Sequence, residues 1–152
     1  MLNSKIHDMF KLAMWDEHIS CALYTSLVER VPEQAVKEKL LRLAADEKGH
    51  FETLRDMHGV LCCREAISVS DIAMPSQAQA FTGSNRPVDL EAFFVYAMEK
   101  EKSAQDFYVG MCEPLDSDKD ACATLMHFSA MEADHLNLLR GELENLRRMK
   151  NK

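Results

Sequence analysis

The chain has 152 residues and a formal net charge of −7, which is enough for one domain with a substantial core. The negative balance gives no electrostatic attraction to nucleic acid or to an anionic membrane. No apolar run approaches the ~20 residues of a spanning helix. Five glycines and four prolines, among plentiful Ala, Leu, Met, Glu and Lys, favour helix over sheet. No basic segment followed by an apolar one opens the sequence. The cysteines, Cys21, Cys62, Cys63, Cys112 and Cys122, are odd in number and form no Cys-x-x-Cys pair. A cytoplasmic protein with reduced thiols is the expectation. The adjacent Cys62-Cys63 has nothing nearby to activate a thiolate.

A single domain over 1–152 is expected, with helices at about 4–31, 33–59, 89–112 and 118–149. The first helix is capped by Asn3 or Ser4. It carries Phe10, Met14, Glu17, Cys21, Tyr24, Val28 and Val31 at alternating spacings of four and three. That is one inward stripe with a carboxylate in its middle. Pro32 suits the first position of the second helix, and Gly59 is a natural stop. The second stripe reads Leu40, Leu43, Glu47, His50, Leu54 and Met57. Two polar residues interrupt it at midpoint.

Residues 60–88 break the periodicity, with Pro75, Gly83 and Pro87 among Ser, Gln and Asn. A short helical piece is expected between Asp71 and Phe81. A connection this long needs a structural purpose. Running the length of a bundle is one, as in the single crossover of ferritin-like folds. The third helix opens on Asp89 and turns Leu90, Phe94, Ala97, Glu101, Ala104, Tyr108 and Met111 inward. Ser117 with Asp120 resembles a capping box for the fourth. Its row is Ala121, Leu125, Phe128, Glu132, His135, Leu139 and Leu143 or Leu146. The expected architecture is an all-α four-helix bundle, two hairpins related by a pseudo-repeat.

The repeat carries the chemistry. Glu47-x-x-His50 and Glu132-x-x-His135 each place two ligands on one helix face. Glu17 precedes Glu47 by 30 residues, and Glu101 precedes Glu132 by 31. Each upstream glutamate is followed seven positions later by a tyrosine, Tyr24 and Tyr108. Four buried carboxylates without partners would repel and lose hydration. Two divalent cations would neutralise them, as in the dinuclear carboxylate sites of ferritin-like proteins. Glu47 and Glu132 are expected to bridge the metals. Glu17 and Glu101 are then terminal, with one of His50 and His135 on each ion. Oxygen and imidazole ligands suit iron or manganese, while zinc or cobalt can substitute.

Tyr24 and Tyr108 are expected to hydrogen-bond a carboxylate across the bundle, to close the site as buried aromatics, or to do both. Asp46 is a candidate to orient a histidine, although the matching position in the other half is Met131. Cys21 is assigned to core packing. His7, His18, His58 and His127 are assigned to the surface or to satisfied core positions, and the ten methionines are read as filler.

These motifs resemble the rubrerythrin branch of the ferritin-like superfamily, over about Lys5 to Leu146. The segment from Ala97 to Tyr108 is especially similar to the third helix of short rubrerythrin-like proteins. The resemblance implies a non-haem di-iron centre held by Glu17, Glu47, His50, Glu101, Glu132 and His135. It implies an oxidoreductase that reduces peroxide or dioxygen with electrons from a donor such as a rubredoxin. No four-cysteine rubredoxin motif is present, so that donor is expected to be a separate protein, and a homodimer is expected. The family's additional glutamate, one turn after the third-helix ligand, is replaced by Ala104. That departure keeps open an alternative, an iron-binding or ferroxidase protein for iron handling.

Overall fold

The computed structural model describes residues 2–62, 65–69, 74–82 and 88–151, with the side chains of residues 2 and 3 outside that description. Cys63, Asp71, Gly83 and Pro87, named above, lie outside it. Four long helices carry the fold: α1 (Leu2–Val28), α2 (Gln34–Leu61), α4 (Leu90–Cys112) and α5 (Lys119–Lys150). A four-residue turn of helix, α3 (Ser76–Gln79), lies in the crossover. There is no strand among the described residues. No helix among them is long and apolar enough to cross a membrane.

Helix α1 packs along α2 and α4 along α5, and the two hairpins meet mainly through α1 with α4 and α2 with α5. Two apolar clusters show the chain directions. One end of the bundle gathers Leu23, Leu27, Leu40, Leu43, Phe93, Phe94, Leu139 and Leu143. The other gathers Phe10, Met14, Leu54, Met111, Leu125 and Phe128. Helices α2 and α4 therefore run the same way, and the chain must return the full height of the bundle between them. At ~1.5 Å per residue, α1 is about 40 Å long. Described parts of the crossover are pinned at both ends. Ile67 packs on the second cluster, and the Trp15 indole N–H donates to the Ser68 carbonyl at 3.2 Å. Ala78 and Phe81 join the first cluster, where the Arg30 guanidinium donates to the Phe81 carbonyl at 2.5 Å.

Local signals at the helix ends differ from expectation in four places. Helix α1 begins at Leu2, so Asn3 and Ser4 lie inside its first turn and are not its caps. Helix α2 begins at Gln34 with Glu33 as its cap residue, leaving Pro32 outside. It continues through Gly59 to Leu61, where the Cys62 N–H closes the last turn on the His58 carbonyl. Asp118, in place of Ser117, caps α5 by accepting from the Ala121 N–H at 3.0 Å. Asp89 caps α4 as its sequence suggests, accepting from Ala92 at 3.1 Å.

The thiols also differ from expectation. Cys112 and Cys122 form a disulfide that ties the end of α4 to the start of α5. A turn of one 3₁₀ segment, Glu113–Leu115, brings those helix ends side by side. Cys21 is a free thiol.

Candidate metal centre

Between the apolar clusters, each long helix turns polar residues inward at the same height. Glu17 follows Met14 on α1, and Glu47 and His50 lie between Ala44 and Leu54 on α2. Glu101 lies between Ala97 and Ala104 on α4, and Glu132 and His135 lie between Phe128 and Leu139 on α5. All six are 4% exposed or less. The 3.6-residue period that makes the apolar stripes also delivers these groups to the bundle axis.

The six residues form two quartets. Glu17, Glu47, His50 and Glu132 offer ligand atoms within 4.8 Å of one another, and so do Glu47, Glu101, Glu132 and His135. The quartets share Glu47 and Glu132. Both imidazoles point Nδ1 at the carboxylates: His50 Nδ1 lies 3.0 Å from Glu132 and 3.5 Å from Glu17. His135 Nδ1 lies 3.0 Å from Glu47 and 3.5 Å from Glu101. These contacts are close, but their directions do not make hydrogen bonds. Seven buried atoms are without a hydrogen-bond partner among the described residues: Glu17 Oε2, Glu47 Oε1, His50 Nδ1, Glu101 Oε2, both Glu132 oxygens and His135 Nδ1. Buried polar atoms are nearly always satisfied. Seven orphans converging on one axis fit a pair of cations.

One oxygen each of Glu17 and Glu101 is held from across the bundle. The Tyr24 hydroxyl on α1 donates to Glu101 on α4 at 2.6 Å, and the Tyr108 hydroxyl on α4 donates to Glu17 on α1. Both rings are fully buried, so each tyrosine closes the site and also orients a carboxylate. Next to this pair, Lys100 on α4 donates to Asp16 on α1 at 2.6 Å. Asp46 on α2 reaches His135 Nε2 at 2.9 Å. The equivalent neighbour of His50 Nε2 is the Met131 sulfur at 3.2 Å. Cys21 is half-buried against the first cluster. His58 is buried and lies 2.8 Å from His7 at the far end of the bundle.

The Asp16–Lys100 pair and the Met131 contact were not anticipated. Each depends on which helices face each other, and periodicity along one helix does not carry that. The signal for Lys100 was present in retrospect: Asp16 and Lys100 each precede a site glutamate by one residue.

Without cations, protons must neutralise the site. Burial opposes charge on both imidazoles, yet the carboxylates prevail. Glu132 and Glu17 hold His50 up to about 9, and Glu101 and Glu132 hold His135 up to about 11. Burial, then the Glu17 charge, pushes Glu47 well above the usual carboxylate range. Burial and Glu132 push Glu101 up as well. Glu132 moves the other way: burial raises it, but contacts with Glu101, His135 and His50 outweigh that and hold it low. Both tyrosines are raised by burial and by the carboxylates they face, so they stay hydroxyl donors.

The rubrerythrin family model matches residues 8–143, a span that includes both motifs and all six residues. The chain belongs to the rubrerythrin family. Among solved structures, a hypothetical protein from Pyrococcus furiosus superposes with a TM-score of 0.78 at 22% identity, covering 95% of this chain and 91% of that one. That likeness shows a shared ferritin-like fold. No curated protein matches. In this chain the position one turn after Glu101 is Ala104, and it borders a cleft of about 140 Å³ between α1 and α4, lined also by Leu12, Ala13, Phe107 and Tyr108.

Proposed function

We propose that this member of the rubrerythrin family is a non-haem di-iron oxidoreductase that reduces peroxide or dioxygen with electrons from an external donor. The observation that carries the reading is the pair of buried quartets sharing Glu47 and Glu132. Glu17, Glu47, His50 and Glu132 would hold one iron, and Glu47, Glu101, Glu132 and His135 the other. Two bound irons would supply the electrons for cleaving or reducing the oxidant, chemistry that side chains lack. The protein's own part is positional. Tyr24 and Tyr108 fix the terminal carboxylates, and the flanking apolar clusters keep bulk water from the axis. The electron donor is proposed to be a separate small redox protein of rubredoxin type.

A second reading, iron binding with slow ferroxidase activity, draws on Ala104, which leaves the site without a further carboxylate beside Glu101. Anaerobic loading with Fe(II), followed by peroxide or air, separates the two. The oxidoreductase reading expects two irons per chain, rapid oxidation by peroxide, and repeated turnover when a rubredoxin-type reductant is supplied. Oxidation in air that stalls at two irons per chain, with no response to peroxide, would favour iron handling.

A further inference from the structure

The pseudo-repeat maps α1 onto α4 and α2 onto α5, and nearly everything at the site obeys it. Glu17 corresponds to Glu101, Glu47 to Glu132, His50 to His135 and Tyr24 to Tyr108. The tyrosine hydrogen bonds are reciprocal across the bundle. The symmetry fails behind the histidines. Each imidazole directs Nδ1 at the carboxylates and Nε2 away from them, toward the residue that precedes the shared glutamate of the facing helix. For His135 that residue is Asp46, with Nε2 to Oδ2 at 2.9 Å. For His50 it is Met131, with Nε2 to Sδ at 3.2 Å.

The two acceptors are chemically unlike. A carboxylate takes a charge-assisted N–H hydrogen bond, which holds the proton on Nε2 and leaves the Nδ1 lone pair free for a metal. It also makes that lone pair a stronger donor. A thioether is a weak acceptor. His50 is instead steadied by packing, its ring centroid 4.2 Å from that of Phe128.

Building on the dinuclear reading above, we propose that the two metal positions are unequal by construction. The position served by His135 binds a divalent ion more tightly and fills first. Asp46 is the positioning residue that makes it so, and Met131 keeps the His50 position weaker. The inequality lies in the tautomer and donor strength of one imidazole, since the carboxylate sets are related by the repeat.

The test is titration of the metal-free protein with Co(II), followed by calorimetry and by the visible bands of the bound ion. Two ions per chain should enter in two resolved steps. Asp46→Asn should weaken the tighter step by about 10- to 100-fold, the usual effect of removing such a partner, and leave the weaker step in place. Met131→Asp should strengthen the weaker step and draw the two together. Asp134→Asn removes an exposed charge beside His135 without touching Nε2, and should move neither step by more than a few-fold. Two ions entering with equal affinity in the unaltered protein would overturn the proposal, as would equal weakening of both steps in Asp46→Asn. Failure to bind two ions at all would overturn the dinuclear reading, a result distinguishable from either.

Discussion

The middle layer of the bundle and the two apolar layers around it are made by the same helices and the same periodicity, yet they are stabilised in opposite ways. In the outer layers, Phe10, Leu54 and Leu125 at one end and Leu27, Leu40 and Leu139 at the other gain from burial alone. In the middle layer, four carboxylates and two imidazoles are buried to the same degree, where burial costs free energy until a partner arrives. The helices that carry the site are thus held together by their ends. The middle layer is a polar interruption in an otherwise well-packed apolar bundle.

The largest effect should come from the shared glutamates. Glu47→Ala or Glu132→Ala removes a residue from both quartets, and metal analysis should find binding of two ions abolished. Retention of two ions per chain in both variants would break the comparison. Glu47→Leu sharpens it further: the metal-free protein should melt at a higher temperature than the unaltered one, because an unsatisfied buried carboxylate has been replaced by apolar volume.

The outer layer should respond in the other direction. Leu54→Ala is expected to destabilise by about 2–5 kcal/mol, measurable by urea unfolding. The loss should appear both with and without metal, since Leu54 is not itself one of the six clustered ligand residues.

The pH dependence should change sign with loading. In the metal-free fold Glu47 and Glu101 lie above 4.5 and the two histidines above 6.5. The folded state therefore holds protons that the unfolded chain releases. Stability from these groups is full at low pH and is lost progressively as pH rises from about 4.5, through Glu101 at about 8 and His50 at about 9, to His135 at about 11. The slope is ~1.4 kcal/mol per pH unit for each excess proton. His58, lowered by burial and by His7, has the opposite sign, but acts only below about 6.5. Glu132, held low, acts only below 4.5. A metal competes with those protons, so the loaded protein should gain stability over the same interval. Melting temperatures across pH 5–8, with and without Co(II), check both slopes.

The smallest effect belongs to the tyrosines. Tyr24→Phe removes one buried hydrogen bond to Glu101 and should cost ~1–3 kcal/mol when that carboxylate is left short of a partner. It should leave the stoichiometry at two ions. Loss of an ion in this variant would make Tyr24 part of the binding machinery itself.

Much of this was legible in the chain because the middle layer breaks a regular pattern. The stripe Leu43, Glu47, His50, Leu54 is anomalous without any knowledge of what it faces, and its recurrence as Phe128, Glu132, His135, Leu139 pairs the two halves. What faces what was not legible. A tyrosine-to-carboxylate bond across the bundle and an Asp46-to-histidine contact are both expected from the sequence, but that Tyr24 takes Glu101 and Asp46 takes His135 of the other hairpin depends on how the hairpins dock. The same holds for Lys100 with Asp16. Helix ends depart from local preference in places, as at Gly59, which α2 passes through. The Cys112–Cys122 bond escaped an argument from cysteine number, because only the tight α4–α5 turn brings those two together.

The most direct test of the central claim is anomalous diffraction at the iron edge from crystals of the Fe(II)-loaded protein. The account predicts two peaks in the middle layer. One should be bordered by Glu17, Glu47, His50 and Glu132, and the other by Glu47, Glu101, Glu132 and His135. A single peak, or iron bound away from these six side chains, would contradict it.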